Sequence, residues 1–168
     1  MDFGGGLERT LAALNNDPDI FHTDLYTTLL HNIVVENEYQ SRVVADDLKA
    51  AVFLIADGVI PSNKDRGYIL RRLIRRAARF SKSLDQVDGI INIYREPYPQ
   101  LVQKKEEIKE TLRTEEIKFR QTLDRGLEEF AKISQKGSIS PQEAFYLYES
   151  LGFPYELTQE ESQNKNIK

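Results

Sequence analysis

The sequence has no cysteine and no tryptophan, and its 168 residues include one methionine and two histidines, His22 and His31. Without cysteine the chain can form no disulfide and no thiolate metal site, and it carries no thiol nucleophile. No apolar run approaches the roughly 20 residues that a membrane-spanning helix needs. Residues 1–6 lack the basic start and apolar core of a signal peptide. We therefore expect a cytoplasmic protein with no membrane partner.

The residue sets of common catalytic sites are also absent. There is no Ser/His/Asp set, no cluster of metal ligands and no phosphate-binding loop, because the glycines at 4–6 have no lysine at the required offset. Asp46 and Asp47 are consecutive, and consecutive side chains on a helix point about 100° apart. We expect them to face solvent or to pair between helices rather than to act together as acid and base. The sequence therefore predicts no catalytic residue and no metal site on this chain.

Basic residues are concentrated in one stretch although the whole chain has a net charge of -4. Between residues 64 and 82 there are eight lysines or arginines against one acid, Asp65. If this stretch is helical, five arginines share an arc of roughly 140° and the apolar residues occupy the opposite side. Those arginines are Arg71, Arg72, Arg75, Arg76 and Arg79. The pattern predicts a helix that packs on its apolar side and presents the arginines.

Two interpretations of this basic face stay open. It is either a surface helix neutralised by acidic side chains elsewhere in the chain, or an RNA-binding surface. RNA binding is favoured because the face carries arginine and no lysine, and the planar guanidinium matches phosphate geometry. The helix start beside Asn63 also offers free backbone N–H groups to an anion. By itself, however, Asn63 is typical of a turn, and Glu149 is typical of a solvated helix face.

Apolar residues follow helical spacing along the chain, and no stretch alternates with period two over five or more residues. We therefore predict an all-α helical bundle. Its basic helix covers about 63–82 and its longest helix about 97–136. An eleven-residue repeat keeps one apolar seam in line along the long helix. The seam residues are Leu101, Ile108, Leu112, Phe119, Leu123 and Phe130.

Local signals predict the helix ends. Thr23 is the expected cap of a helix that ends near Glu36, and Ser41 is the expected cap of the next helix, which Gly58 stops. Two segments have capping-box spacing. They are Ser62 with Asp65 before the basic helix, and Ser140 with Glu143 before a helix that ends at Gly152. The polar tail at 159–168 is expected to be partly ordered.

Four segments taken together resemble the alanyl-tRNA synthetase family, of class II. They are DFGGGLER at 2–9, RVVAD at 42–46, FLIADGVIPSN at 53–63 continuing as RGYILRRLIRRA at 66–77, and AF at 144–145 with LYESLGFPYELT at 147–158. The likeness covers essentially the whole chain. It implies the end of class II motif 3 in residues 1–14, followed by the middle, helical tRNA-recognition domain in 15–158.

The first segment is similar to the end of motif 3, and the resemblance implies that Arg9 contacts ATP and that Gly6 lies beside the nucleotide. Motifs 1 and 2 and the editing region are absent from the sequence, so we expect Met1 to mark a boundary. The parent enzyme is expected to be an alanine–tRNA ligase that uses ATP with Mg. This fragment alone is expected to be inactive and to bind no cofactor.

The second part resembles the region that binds the acceptor stem of tRNA(Ala) and reads its G·U wobble pair. The resemblance implies that Asn63 and Glu149 bracket that pair and that arginines contact the phosphates. Those arginines are Arg66, Arg71, Arg72, Arg75, Arg76 and Arg79. The sequence departs from the family at Glu149, where Asp is usual, and at Asp47, where His is usual. The alternative is a helical interaction module or a diverged paralogue that binds RNA without wobble-pair specificity. The catalytic and editing domains of the parent are further expected partners.

Overall fold

The structure is a computed structural model that describes residues 5–167. Within this range the regular elements are helices, and no residue lies in a β-strand. The helices are α1 Leu7–Leu14, α2 Asp24–His31, α3 Glu38–Ala56, α4 Asp65–Phe80, α5 Val87–Tyr94, α6 Gln100–Gln103, α7 Lys105–Ile133, α8 Pro141–Leu151 and α9 Tyr155–Asn164. Short 3-10 turns occupy Ile20–His22 and Ser134–Lys136. The prediction of an all-α fold is confirmed.

The chain divides into two compact units, Met1–Glu116 and Ile117–Lys168. In the first unit α3 and α4 pack along each other and form the centre of the core. Both helices bury regularly spaced apolar side chains, as amphipathic helices of a bundle do. The fully buried ones are Val44, Ala45, Leu48, Ala51 and Val52 on α3, and Leu70, Ile74 and Ala77 on α4.

The basic helix is amphipathic as predicted, but its N-terminus differs. Helix α4 begins at Asp65, which has a left-handed backbone (φ 50°), and the residue at the cap position is Lys64. The capping box predicted for Ser62 and Asp65 is wrong. The Ser62 hydroxyl instead donates to the Lys64 carbonyl at 2.9 Å, so this polar side chain closes a local turn ahead of the helix.

Two other helix ends were placed wrongly from sequence. Thr23 does precede α2, but its hydroxyl donates to the Ile20 carbonyl, and the helix ends at His31 rather than near Glu36. Helix α3 starts at Glu38, and its cap is Asn37, four residues before the expected Ser41, because the Asn37 side chain accepts a hydrogen bond from Gln40 N. The stop at Gly58 is confirmed by its left-handed backbone (φ 84°).

The predicted continuous helix over about 97–136 is interrupted at Lys104, between α6 and α7. Lys104 Nζ donates to the Ala56 carbonyl at 2.6 Å, at the C-terminal end of α3. A lysine at this position satisfies an otherwise unpaired helix-end carbonyl. The contact joins residues 48 positions apart, so periodicity could not indicate it. The apolar seam itself is confirmed, since its members from Leu101 to Phe130 are buried, with Leu123 partly so.

The second unit has its own core around the fully buried Phe130, Leu147 and Phe153. Gly126 on α7 makes room for Phe153, because a Cβ there would lie 2.1 Å from the ring. The capping box of Ser140 and Glu143 at the start of α8 is confirmed. Helix α9 continues through Asn164, so most of the polar tail is helical.

The Glu143 carboxylate accepts hydrogen bonds from Lys136 and from the backbone and side chain of Ser140, which lowers its pKa from 4.5 to about 2. A carboxyl group whose pKa is lower in the folded chain stabilises the fold at pH values above 4.5, its pKa in the unfolded chain. That stabilisation is lost as the pH falls towards 2. We expect wild type to be more stable than Glu143→Gln at neutral pH, with the difference shrinking between pH 4.5 and 2. Chemical denaturation of both proteins across that pH range measures the difference in stability. A difference that stayed constant with pH would contradict the expectation.

Candidate RNA interface

The turn before α4 lies directly against the first turn of the helix. Ser62 N donates to the Gly67 carbonyl at 3.0 Å, and Gly67 is buried. A Cβ on Gly67 would lie 2.4 Å from the Ile60 carbonyl oxygen and 2.2 Å from Ser62 Oγ. Real Cβ atoms do not approach other atoms so closely, so only glycine fits at this position. The close approach places the exposed Asn63 beside the start of the arginine helix.

Arg71 connects Asn63 to a buried carboxylate. Its Nη1 donates to Asn63 Oδ1, and its Nε lies 3.3 Å from Oε1 of Glu115 on α7. Arg75 Nε donates to the same Oε1 at 2.7 Å. The Glu115 side chain is only 3% exposed, and a buried carboxylate needs such charged partners. Arg71 and Arg75 are therefore directed towards Glu115 within the first unit.

Arg76 makes a two-pronged ion pair with Asp47 on α3. Its Nε donates to Asp47 Oδ2 at 2.6 Å and its Nη2 to Oδ1 at 2.5 Å. Burial raises the pKa of the Asp47 carboxyl, and the Arg76 guanidinium opposes that rise. The same hydrogen bonds raise the pKa of Arg76. Asp47 thus pairs between helices, one of the two expected outcomes, and its side chain is buried.

The arginine face is consequently not uniform. Arg71, Arg75 and Arg76 pair with acids, as the interpretation of a neutralised surface helix predicts for them. Arg66 and Arg72 are exposed, and half of the Arg76 side chain remains accessible. The Arg79 guanidinium lies over the Phe80 ring, with its Cζ 5.3 Å from the ring centroid. The residues best placed to meet a phosphate backbone are therefore Arg66 and Arg72, with Arg76 in part.

Glu149 is exposed on α8, in the second unit. A largely apolar groove of about 600 Å³ lies between α8 and α9, and it includes Tyr148 but not Glu149. Its other lining residues include Phe145, Tyr155 and Thr158. Glu149 is thus available to a ligand on the open helix face rather than inside the groove.

The two predicted ATP contacts lie at the start of α1, where Gly6 and Arg9 are both exposed. Residues 2–4 of the same predicted motif lie outside the described residues. Gly6 and Arg9 alone cannot enclose a nucleotide, so the two residues do not by themselves make an ATP site. Between residues 5 and 167 there is no group of three side chains able to hold a metal ion. No helix in that range is long and apolar enough to cross a membrane.

A polar network that the sequence did not reveal ties α1 to α3. Lys49 on α3 donates to Glu8 and, at 2.7 Å, to the Tyr26 hydroxyl, which donates to Asp46 at 2.8 Å. Glu8 and Lys49 are 41 positions apart, and neither residue type is unusual on a helix surface. The network anchors the helix that carries Arg9 to the helix that carries Asp47.

Comparison with known proteins decides the family. The profile described as tRNA synthetases class II (A) matches residues 1–168. The chain belongs to this family. Three similar proteins from the family are each named alanine–tRNA ligase. Those from Borreliella afzelii, Caldicellulosiruptor saccharolyticus and Dinoroseobacter shibae are 42%, 38% and 41% identical over 95%, 99% and 98% of this chain.

The chain spans only 31%, 22% and 21% of the length of these three relatives. The resemblance inferred from the four motifs is confirmed at the level of the class II (A) synthetase family. Within this family member, Glu115 is the site residue that sequence reasoning missed. It lies on the acid-rich α7, and no local signal distinguishes it from the neighbouring Glu116.

Proposed function

We propose that this chain is the tRNA-recognition part of an alanine–tRNA ligase and binds the acceptor stem of tRNA(Ala). The observation that carries the proposal is the exposed Asn63 turn, held by Gly67 against the start of α4 beside the exposed Arg66 and Arg72. Family membership and the names of the relatives support it. On this proposal residues 15–158 form the recognition domain, and residues 1–14 belong to the catalytic domain.

The proposed contacts divide into two kinds. Arg66, Arg72 and the accessible half of Arg76 bind phosphates, which hold the stem without reading its sequence. Asn63 and Glu149 each contact the G·U wobble pair, and the Glu149 carboxylate accepts from the guanine amino group in the shallow minor groove. Glutamate is one methylene longer than the usual aspartate, so the carboxylate extends further from α8.

The parent enzyme on this proposal joins alanine to tRNA in the cytoplasm, using ATP with Mg, and carries catalytic and editing domains. Gly6 and Arg9 would line its nucleotide site. Catalysis requires motifs 1 and 2, so the 168 residues alone should bind RNA without aminoacylating it.

A second candidate is a diverged paralogue that binds RNA without reading the wobble pair. It is favoured by the pairing of Arg71, Arg75 and Arg76 with acids, which leaves fewer cations for RNA than the sequence suggests. On this alternative, the loss of any exposed arginine weakens all RNA stems alike.

Two acceptor-stem hairpins that differ at one base pair, G·U in one and G·C in the other, distinguish the two candidate functions. At low salt we expect wild type to bind the G·U hairpin about 10-fold more tightly, and Asn63→Ala to remove the preference. Arg72→Ala is the matched control, because it should weaken both hairpins equally and reduce the salt dependence by about one phosphate contact. Equal binding of the two hairpins by wild type would favour the paralogue, and no binding at low salt would favour a protein-interaction module.

A further inference from the structure

A continuous set of polar contacts runs from the interior of the first unit to Asn63 at its surface. Glu115, 3% exposed, lies 3.3 Å from Arg71 Nε, and Arg71 Nη1 donates to Asn63 Oδ1. The contact between Arg71 Nε and Glu115 is an ion pair, since Nε makes no hydrogen bond. Arg75 Nε donates to the same carboxylate oxygen, Oε1, through the 2.7 Å hydrogen bond.

Arg71 determines which end of the Asn63 amide faces outward. A guanidinium only donates hydrogen bonds, so the atom of Asn63 that meets it must be the carbonyl oxygen. The amino group, Nδ2, is then turned away from Arg71. Because Asn63 is exposed, the group it offers to a ligand is a hydrogen-bond donor.

We propose that Glu115, acting through Arg71, is a positioning residue that holds Asn63 with its amino group towards RNA. Asn63 then donates to a base acceptor on the minor-groove edge, and its carbonyl oxygen is turned towards Arg71 rather than towards the guanine amino group. That amino group is left to a carboxylate, which only accepts. The inference rests on the proposed reading of the wobble pair. It gives Arg71 a role in that reading in place of the phosphate contact that the sequence predicts.

The ion pair with Glu115 supplies the preorganisation that this role needs. An arginine side chain has many rotamers, and an unrestrained Arg71 would turn towards the nearest phosphate and release Asn63. The buried carboxylate restrains it before RNA arrives, which lowers the cost of ordering the reader on binding.

Arg71→Lys tests the inference, because lysine keeps the charge but replaces the two separate nitrogens, Nε near Glu115 and Nη1 at Asn63, by one ammonium, so the spacing of the two contacts is lost. We expect the preference for the G·U over the G·C hairpin to fall about 3- to 10-fold, with the affinity for the G·C hairpin changed by less than about twofold. Glu115→Gln should lower the preference in the same direction, with thermal unfolding used to confirm that it folds. In the Asn63→Ala background, Arg71→Lys should not change the preference between the two hairpins any further.

Asn63→Asp tests the direction of the amide. Aspartate keeps an oxygen towards Arg71 but replaces the outward donor by an acceptor, so the preference should be lost as in Asn63→Ala. A retained preference would overturn the assignment of Asn63 as a donor. The control is Arg72→Ala, which should weaken both hairpins and leave their ratio unchanged.

The outcomes separate the inference from the proposed function. If wild type shows no preference for G·U, the wobble-pair reading fails and the inference fails with it. If wild type prefers G·U and Asn63→Ala removes the preference, but Arg71→Lys and Glu115→Gln leave it intact, the inference alone is overturned. The NMR signal of the Asn63 side-chain amide gives a readout without RNA, and Arg71→Lys should shift it.

Discussion

Gly67→Ala is expected to lower the free energy of unfolding by about 3 kcal/mol and to remove the G·U preference. The added Cβ would lie 2.4 Å from the Ile60 carbonyl oxygen, a backbone atom that cannot rotate away. The turn that carries Asn63 must therefore move off α4. Chemical denaturation and the two hairpins measure the two effects.

Gly89→Ala on α5 is the matched control for this substitution. A Cβ there would meet only Leu29 Cδ1, at 4.0 Å, which is an ordinary contact. Because alanine favours a helix interior, the variant should be more stable by about 0.5 to 1 kcal/mol and bind RNA as wild type does. If Gly67→Ala proved as stable as Gly89→Ala and kept the G·U preference, the close packing of the turn on α4 would not be needed for reading.

Asp47→Asn is expected to reduce stability by about 2 kcal/mol while strengthening binding to every RNA stem. Asparagine presents an N–H group to one of the two guanidinium nitrogens that Asp47 accepts from, so that nitrogen loses its acceptor and the new amide N–H is buried without one. The loss stays moderate because the Arg76 side chain is 49% exposed and can be rehydrated. The released positive charge should increase the salt dependence of RNA binding by up to about one phosphate contact.

Asp46→Asn provides the comparison for Asp47→Asn, since it removes the same charge from the neighbouring position of α3. Asp46 is exposed and accepts from the Tyr26 hydroxyl rather than from Arg76. It should change stability and RNA binding less than Asp47→Asn does. Equal effects of the two variants on the salt dependence would show that net charge, and not the release of Arg76, controls binding.

The fold class and most elements could be predicted because they depend on local periodicity. The eleven-residue seam, the amphipathic basic helix and the capping box of Ser140 and Glu143 all require residues that are near one another in sequence. The errors arose where a distant or competing contact decided the outcome. Lys104 interrupts the long helix where it binds the end of α3, and Asn37 starts α3 ahead of Ser41.

The sequence indicated the candidate RNA-binding side chains, but it did not indicate the acidic side chains that pair with the arginines. Motif resemblance indicated Asn63, Glu149 and the arginines, because these residues lie within contiguous sequence motifs. Glu115 and Asp47 were not assigned as arginine partners, because only the packing of α7 and α3 on α4 brings acids 40 and 29 positions away to Arg75 and Arg76. The division of the arginine face into paired and accessible residues is therefore set by tertiary packing.

The most direct test of wobble-pair reading by Asn63 is the ratio of dissociation constants for the G·C and G·U acceptor-stem hairpins, measured at low salt for wild type and Asn63→Ala. Reading by Asn63 predicts a ratio of about 10 for wild type and about 1 for the variant. A wild-type ratio of about 1, with both hairpins bound, would contradict it.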